Sequence, residues 1–195
     1  MQKNLLPKDG AVYFYEDFFS PSEEAHLFTA LKQQVAWRQE PIKFMGKEIM
    51  QPRLTALYGD THKAYSYSGI TMKPAQWLEE LIFIKTKVEA FLESEFSTVL
   101  LNYYRNGADS MGWHRDNEKS LGSNPTIASL SFGTSRPFLL RHYGDRKLRV
   151  KIDLTPGSLL VMTGTTQHNW QHSLPKRPKL QTERINLTFR AIVDK

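Results

Sequence analysis

The chain has 195 residues, no cysteine and a formal net charge of +6, from 26 Lys and Arg residues against 20 Asp and Glu residues. The absence of cysteine excludes disulfides, thiolate zinc sites and cysteine nucleophiles, which leaves histidine and carboxylates as metal ligands. No apolar run is long enough to cross a bilayer, so we expect an intracellular protein, cytoplasmic or nuclear, without membrane contact. We also expect a monomer. Its positive charge fits either a solvated basic surface or a nucleic-acid partner.

The N-terminal part predicts a strand followed by a helix. Residues 11–19 are dense in aromatic and β-branched side chains, which favour strands. Ser20 then precedes Pro21 and Glu23, the spacing of a capping box with proline at the first helical position. The helix should run to about Val35, with its apolar residues in one stripe that packs on a sheet.

Residues 41–50 predict a β-hairpin, because two apolar arms surround a turn at Gly46. Phe44 and Met45 would lie near its tip. They either fold back on the core or form an apolar wedge that enters a stack of bases.

A strand is predicted at residues 54–58, and residues 64–69 follow as a second extended segment. Tyr65 and Tyr67 would share one face of that segment, since strand side chains alternate. Such a pair either stacks on a flat substrate or packs in the core.

An amphipathic helix is predicted from Pro74 to about Glu93, as scaffold without chemistry of its own. Its broad buried face should comprise Trp77, Leu78, Leu81, Ile82, Ile84, Val88, Phe91 and Leu92.

Strand patterns dominate after residue 98, and turn residues separate several of them. We therefore predict a mainly β fold with flanking helices, in which a double-stranded β-helix, or jelly roll, forms a single domain over residues 1–195. Residues 1–97 would supply helices and substrate-recognition hairpins, and residues 98–195 the jelly-roll core. The predicted strands are residues 99–105, 126–133, 136–142, 148–154, 158–164 and 184–190.

A candidate metal site lies at His114 and Asp116, which would project from one face of a strand. A third ligand must come from elsewhere, and His168 and His172 both qualify. Two imidazoles and one carboxylate with open positions form the facial triad of non-haem Fe(II) oxygenases. Taken alone, an HxD triplet also occurs by chance, and most histidines have ordinary structural roles.

Four motifs occur in a fixed order: NYY at residues 102–104, HRD at 114–116, HSLP at 172–175 and RINLTFR at 184–190. This constellation resembles the AlkB family of Fe(II)- and 2-oxoglutarate-dependent dioxygenases, most closely its DNA-repair branch. The resemblance extends from about Pro41 to Arg190, and it implies a jelly-roll enzyme with Fe(II), 2-oxoglutarate and O2 as cofactor and cosubstrates.

The resemblance implies that His114, Asp116 and His172 bind iron, with His168 as the rival third ligand. Guanidinium groups bind carboxylates bidentately, and 2-oxoglutarate carries one carboxylate at each end. Arg184 is expected at the carboxylate far from iron and Arg190 at the near one. The cosubstrate residues implied by the family pattern are Asn102, Tyr104, Arg184, Asn186, Thr188 and Arg190.

The implied reaction is oxidative demethylation of 1-methyladenine and 3-methylcytosine in DNA, with RNA as an additional candidate, releasing formaldehyde, succinate and CO2. The damaged base must leave the stack to reach the iron. Two departures from the family pattern, Met45 and Asn117, bear on duplex preference and lesion range. The substrate-contacting residues implied by the resemblance are Phe44, Met45, Gly46, Arg53, Tyr65, Tyr67, Ser68 and Glu118.

Two other functions remain open at this point. The same dioxygenase core could oxidise a tRNA base, a protein side chain or a small molecule. A jelly roll with a basic, aromatic surface could also bind nucleic acid without a metal or catalysis. The complete ligand set and the two arginines favour the enzyme.

Overall fold

The computed structural model describes residues 2–44, 47–60, 65–67 and 70–193, which contain fourteen strands and three α-helices. The helices are α1 (Pro21–Gln34), α2 (Glu79–Leu92) and α3 (Thr166–Asn169), and a 3-10 turn spans Lys119–Leu121. The strands are β1 (Ala11–Tyr15), β2 (Pro41–Phe44), β3 (Lys47–Met50), β4 (Leu54–Gly59), β5 (Tyr65–Tyr67), β6 (Ile70–Met72), β7 (Thr98–Tyr104), β8 (Met111–His114), β9 (Ile127–Gly133), β10 (Arg136–His142), β11 (Arg149–Leu154), β12 (Leu159–Thr163), β13 (Trp170–Leu174) and β14 (Arg184–Arg190).

Most strands belong to two antiparallel sheets, as a jelly roll requires. The major sheet has six strands in the order β1-β12-β9-β14-β7-β4, and the minor sheet has four in the order β11-β10-β13-β8. The first half of the chain supplies both edges of the major sheet, β1 and β4, together with the hairpins β2–β3 and β5–β6. The predicted fold class is confirmed.

Helices α1 and α2 cover the outer face of the major sheet. The predicted capping box is present: the Glu23 amide donates to the Ser20 hydroxyl over 3.3 Å, and the Ser20 amide donates to the Glu23 carboxylate over 2.8 Å. Leu27 and Leu31 of α1 are buried in the same apolar cluster as the major-sheet residues beneath them. Burial of this apolar surface is the main force that fixes the helices.

Helix α2 begins at Glu79, so the prediction of a start at Pro74 was wrong. The Ala75 amide donates to the Leu57 carbonyl over 2.9 Å, and the Ala75 carbonyl accepts from Gly59 over 3.0 Å. These bonds to β4 hold the segment extended and delay the helix. The prediction of a broad buried face that includes Ile82 and Phe91 was wrong as well, because these two side chains are about half exposed, at 49% and 47%.

The space between the sheets is apolar at one end and polar at the other. The apolar end contains β1, β9 and β12 residues from the major sheet and β10, β11 and β13 residues from the minor sheet, with Trp170 fully buried. Along β14, Ile185, Leu187 and Phe189 belong to the cluster beneath the helices. The alternate residues of β14 are polar and define the other end.

Within the described residues, no helix has the length and apolar character that a membrane span needs.

Candidate metal and cosubstrate site

The three predicted metal ligands converge. In the minor sheet, His114 of β8 lies opposite His172 of β13. One ligand atom from each of His114, Asp116 and His172 lies within 4.8 Å of the other two. The prediction that His114 and Asp116 share a strand was wrong, since β8 ends at His114. The Asp116 amide leaves the ladder and donates instead to the side-chain oxygen of Gln167 over 3.0 Å.

Asp116 is almost fully buried beside a guanidinium group. Its Oδ2 accepts a hydrogen bond of 2.7 Å from Nη2 of Arg190. Burial is the largest single influence and opposes ionisation, but the charge of Arg190, the two neighbouring histidines and the hydrogen bond from Arg190 together outweigh it and hold the pKa of Asp116 well below its usual range. Within the described residues, Oδ1 of Asp116 and Nδ1 of His172 have no hydrogen-bond partner. Two buried polar atoms without partners, both on candidate ligands, fit a bound metal ion.

Both imidazoles are in the form that binds metals. The Nδ1–H of His114 donates to the Gly112 carbonyl over 2.8 Å, which leaves its Nε2 as the acceptor, 3.9 Å from Oδ1 of Asp116. Burial lowers the pKa of His172 to about 3. Burial also lowers the pKa of His114. Neutral imidazoles accept a cation without first losing a proton.

The rival ligand His168 lies elsewhere. It is exposed in α3, and its Nε2 hydrogen-bonds the carbonyl oxygen of Ser123. In the described part of the chain, the group able to hold a metal consists of His114, Asp116 and His172 alone. The geometry therefore agrees with His172 as the third ligand.

A row of polar residues extends from the metal ligands across the major sheet. Asn186 of β14 lies between Asn102 of β7 and Ser131 of β9. Its amide nitrogen donates to the Ser129 hydroxyl over 2.9 Å, and its oxygen accepts from Thr188 over 3.1 Å. The cavity over this row is lined by Leu100, Asn102, Tyr104, Met111, His114, Asp116, Ser129, Met162, His172, Asn186, Thr188 and Arg190.

Arg184 and Arg190 occupy the two ends of β14 on the polar face. Arg184 is 2% exposed; its Nη2 donates to the Ser131 hydroxyl over 2.9 Å, and its guanidinium lies 5.4 Å from the Tyr104 ring centre. Burial lowers the pKa of Arg184 to about 10, so the group is still a cation at neutral pH. No salt bridge to Arg184 occurs within the described residues, and its Nε has no partner there. Burying a cation without an anion costs free energy, so the lack of a carboxylate partner among the described residues favours a bound anion at Arg184.

The comparisons with known proteins agree with this donor set. The model of the 2OG-Fe(II) oxygenase superfamily matches residues 11–190. The chain belongs to this superfamily. Fe(II) and 2-oxoglutarate are named in the family description. Two imidazoles, a carboxylate and the guanidinium of Arg190 line one cavity, and the buried Arg184 lies at the other end of β14. Imidazole and carboxylate groups are donors that Fe(II) needs, and guanidinium groups bind carboxylates.

The curated relatives belong to the AlkB homologues, which confirms the resemblance seen in the motifs. The chain is 42% identical over 190 residues to alpha-ketoglutarate-dependent dioxygenase alkB homolog 3 of Rattus norvegicus, covering 93% of this chain and 64% of the relative. It is 36% identical over 198 residues to DNA oxidative demethylase ALKBH2 of Mus musculus, covering 96% of this chain and 83% of the relative. The chain thus spans less than two thirds of the rat protein.

A solved structure, "The structure of OsALKBH1", superposes with a TM-score of 0.66 at 18% identity, covering 92% of this chain and 97% of that one. This similarity supports the fold assignment.

Two of the family-implied substrate residues lie beside the cavity. Arg53 is buried, and its Nε donates to the side-chain oxygen of Asn102 over 2.7 Å. Glu118 is half-buried; burial, followed by the negative charge of Asp116, raises its pKa. Asn117, one of the two departures from the family pattern, is exposed. A role for Arg53 and Glu118 in substrate contact stays a prediction.

The remaining substrate residues are on the hairpins. Phe44 is the last residue of β2, and Tyr65 and Tyr67 are the first and last residues of β5. Met45, Gly46 and Ser68 lie outside the described residues. The wedge and the stacking platform therefore stay predictions.

Sequence reasoning missed a surface that we name the outer basic face: Arg115, Arg141, Arg146, Arg149, Trp113 and Tyr143. The Arg141 guanidinium lies 4.1 Å from the ring centre of Trp113, and that of Arg115 lies 4.2 Å from the ring centre of Tyr143. Trp113 and Arg115 flank His114 in sequence, so strand alternation alone would have turned them outward. The contact between Trp113 and Arg141 of β10, which lies two strands away in the minor sheet, has no local signal in the sequence.

Proposed function

We propose that the protein is an Fe(II)- and 2-oxoglutarate-dependent dioxygenase that demethylates N-alkylated bases in DNA, such as 1-methyladenine and 3-methylcytosine. The observation that carries the proposal is one cavity lined by the metal-ligating group of His114, Asp116 and His172 and by Arg190. The relatives reported above, a dioxygenase and a DNA oxidative demethylase, support both the reaction and the substrate.

The residues divide the work of holding the reactants. His114, Asp116 and His172 would hold Fe(II), and Arg190 and Arg184 would bind the two carboxylates of 2-oxoglutarate. When bound, this pair supplies the oxidising chemistry that inserts one oxygen atom of O2 into the N-methyl C–H bond, while 2-oxoglutarate becomes succinate and CO2. The resulting N-hydroxymethyl base loses formaldehyde and returns to its unmodified form.

The protein contributes position and exclusion of water. Arg190 holds Asp116 ionised and immobile through a bond of 2.7 Å. Thr188 fixes the Asn186 amide, which is held on its other side by Ser129. A preorganised polar wall of this kind orients a dianion without rearrangement during the reaction. None of these residues needs to act as a general acid or base.

The outer basic face supports a nucleic-acid substrate. Burial and the positive charges of Arg146 and Arg149 lower the pKa of Arg141, which indicates that the three guanidinium groups lie close enough to repel one another. Phosphate groups would neutralise them, and exposed Trp113 and Tyr143 add aromatic surface beside the charge. Because Trp113 directly precedes the proposed ligand His114, a nucleic-acid strand bound to this face would pass close to the metal.

The test is release of formaldehyde and succinate from oligonucleotides. Single- and double-stranded DNA, and RNA, would carry one 1-methyladenine or 3-methylcytosine, with the unmethylated oligonucleotide as the matched control. We expect product from the methylated strands only. Succinate that is formed with a tRNA, protein or small molecule, and never with a methylated oligonucleotide, would favour the alternative substrate.

The surface is tested in the same assay. Arg141→Ala should raise the KM for the oligonucleotide and reduce the slope of binding against salt by about one phosphate contact. Lys32→Ala is the matched control, since Lys32 lies on α1 and pairs with Glu183. An unchanged KM and slope in Arg141→Ala would remove this face from the substrate path.

A further inference from the structure

A fully buried glutamine lies behind the metal ligand Asp116. Gln167 belongs to the one-turn helix α3 and is 0% exposed. Its side-chain oxygen accepts the Asp116 amide hydrogen over 3.0 Å, and its side-chain nitrogen donates to Sδ of Met162 over 3.5 Å. Both hydrogen-bonding ends of the side chain are therefore engaged.

The bond from Asp116 matters because of where β8 ends. Strand β8 stops at His114, so the Asp116 amide has no ladder partner within the described chain. A buried amide without a partner is destabilising, and the Gln167 oxygen satisfies this one. The two residues are 51 positions apart, so Gln167 fixes the ligand's backbone to a different part of the fold.

Helix α3 is itself anchored. The Thr166 hydroxyl accepts from the Ala11 amide over 2.9 Å and is also within hydrogen-bonding distance of the Ala11 carbonyl, at 3.1 Å. Strand β13 follows α3 directly and carries His172. Gln167 thus joins two metal ligands: one through its side chain and the other through five residues of backbone.

We propose that Gln167 is a positioning residue for the metal centre: its side-chain carbonyl holds the Asp116 backbone so that the carboxylate faces His114 and His172 before any ion binds. Arg190 fixes one carboxylate oxygen, and Gln167 fixes the chain from which the carboxylate extends. The inference rests on the metal centre of the proposed function, but it is independent of the substrate.

The test measures metal binding directly. Gln167→Met keeps the length of the side chain and removes the acceptor. We expect its affinity for Mn(II), followed by the electron paramagnetic resonance signal of the free ion, to fall about tenfold, as is usual when a partner of a metal ligand is lost. Leu31→Ala deletes a buried side chain of α1 and is the control for a general loss of stability. It should bind Mn(II) as the wild type does.

A second measurement needs no variant. In the metal-free wild type, the Asp116 amide should already exchange its hydrogen far more slowly than the exposed Asn117 amide. Wild-type Mn(II) affinity in Gln167→Met, or equal exchange at the two amides, would overturn the inference. A wild-type chain that binds no divalent metal would overturn the metal centre as well. If the wild type binds Mn(II), Gln167→Met binds it more weakly and neither demethylates an oligonucleotide, only the substrate proposal is rejected.

Discussion

The two faces of strand β14 carry opposite kinds of residue at the same depth. Ile185, Leu187 and Phe189 are 0% exposed and belong to the apolar cluster beneath α1 and α2. Arg184 and Arg190, at 2% and 4%, are as inaccessible on the other face. The apolar face lowers the free energy of the fold by leaving water. The polar face does not, because buried polar groups only break even when they are fully bonded.

We therefore connect the apolar face of β14 with stability and its polar face with function. On the polar face, Thr188 bonds Asn186, and Arg190 bonds Asp116. Arg184 and Oδ1 of Asp116 are left with incomplete bonding among the described residues. Incomplete bonding at this depth leaves donors and acceptors available to a ligand, and at Asp116 it occurs within the group of side chains that could hold a metal ion.

The largest effect is expected on the polar face itself. Asp116→Ala removes a metal ligand and leaves the Arg190 charge buried without that carboxylate. We expect no detectable turnover and a loss of about 3–5 kcal/mol in the free energy of unfolding of the metal-free protein, the usual result of breaking a buried ion pair. Urea unfolding measures it. A metal-free variant as stable as the wild type would show that the pair contributes nothing to the fold.

The apolar face should respond in stability alone. Leu187→Ala deletes a fully buried side chain and should lower the free energy of unfolding by about 2–5 kcal/mol. Below its melting temperature, the folded variant should keep the wild-type KM for 2-oxoglutarate. Thr188→Val, its neighbour on the opposite face, is the matched variant and should reverse the pattern: near-native stability with a raised KM. Equal effects in both variants would erase the distinction between the faces.

A conservative change at Arg184 should affect cosubstrate binding. Arg184→Lys keeps the charge and loses the planar fork that binds a carboxylate through two bonds. We expect the KM for 2-oxoglutarate to rise about tenfold, equivalent to about 1.4 kcal/mol, with Mn(II) affinity unchanged. Arg105→Lys is the control, because Arg105 forms its fork with Asp109 outside the cavity. A rise only in the control would place the dicarboxylate elsewhere.

The smallest effect is expected at the edge of the apolar face. Ser20→Ala removes the side-chain cap of α1 and should lower the free energy of unfolding by about 1 kcal/mol. Thermal unfolding measures the change, and metal and cosubstrate binding should be unaffected. A cap variant with weakened 2-oxoglutarate binding would show that the helices influence the cavity through the sheet.

The sequence predicted the elements whose signals are local. Strand β14 has its predicted bounds, and the capping box of α1 is present. Helix α2 was placed too early because its first predicted turn is held by bonds to β4. Helix α3 has four residues, too few for a periodic pattern.

The candidate site followed the same division. His114, Asp116 and His172 were found from spacing and resemblance, and they converge. Gln167 was not found, since its partner lies 51 residues away and no motif marks it. Contacts between distant segments depend on the whole topology, which a single sequence reveals only where a family pattern is recognised.

The most direct measurement is the anaerobic visible spectrum of the protein with Fe(II) and 2-oxoglutarate. A charge-transfer band requires the ion and the dicarboxylate to be bound to each other in the cavity. We expect the band in the wild type and in His168→Ala, and no band in His172→Ala. A wild-type spectrum without the band, or a His172→Ala spectrum that retains it, would contradict the metal centre on which the proposed function depends.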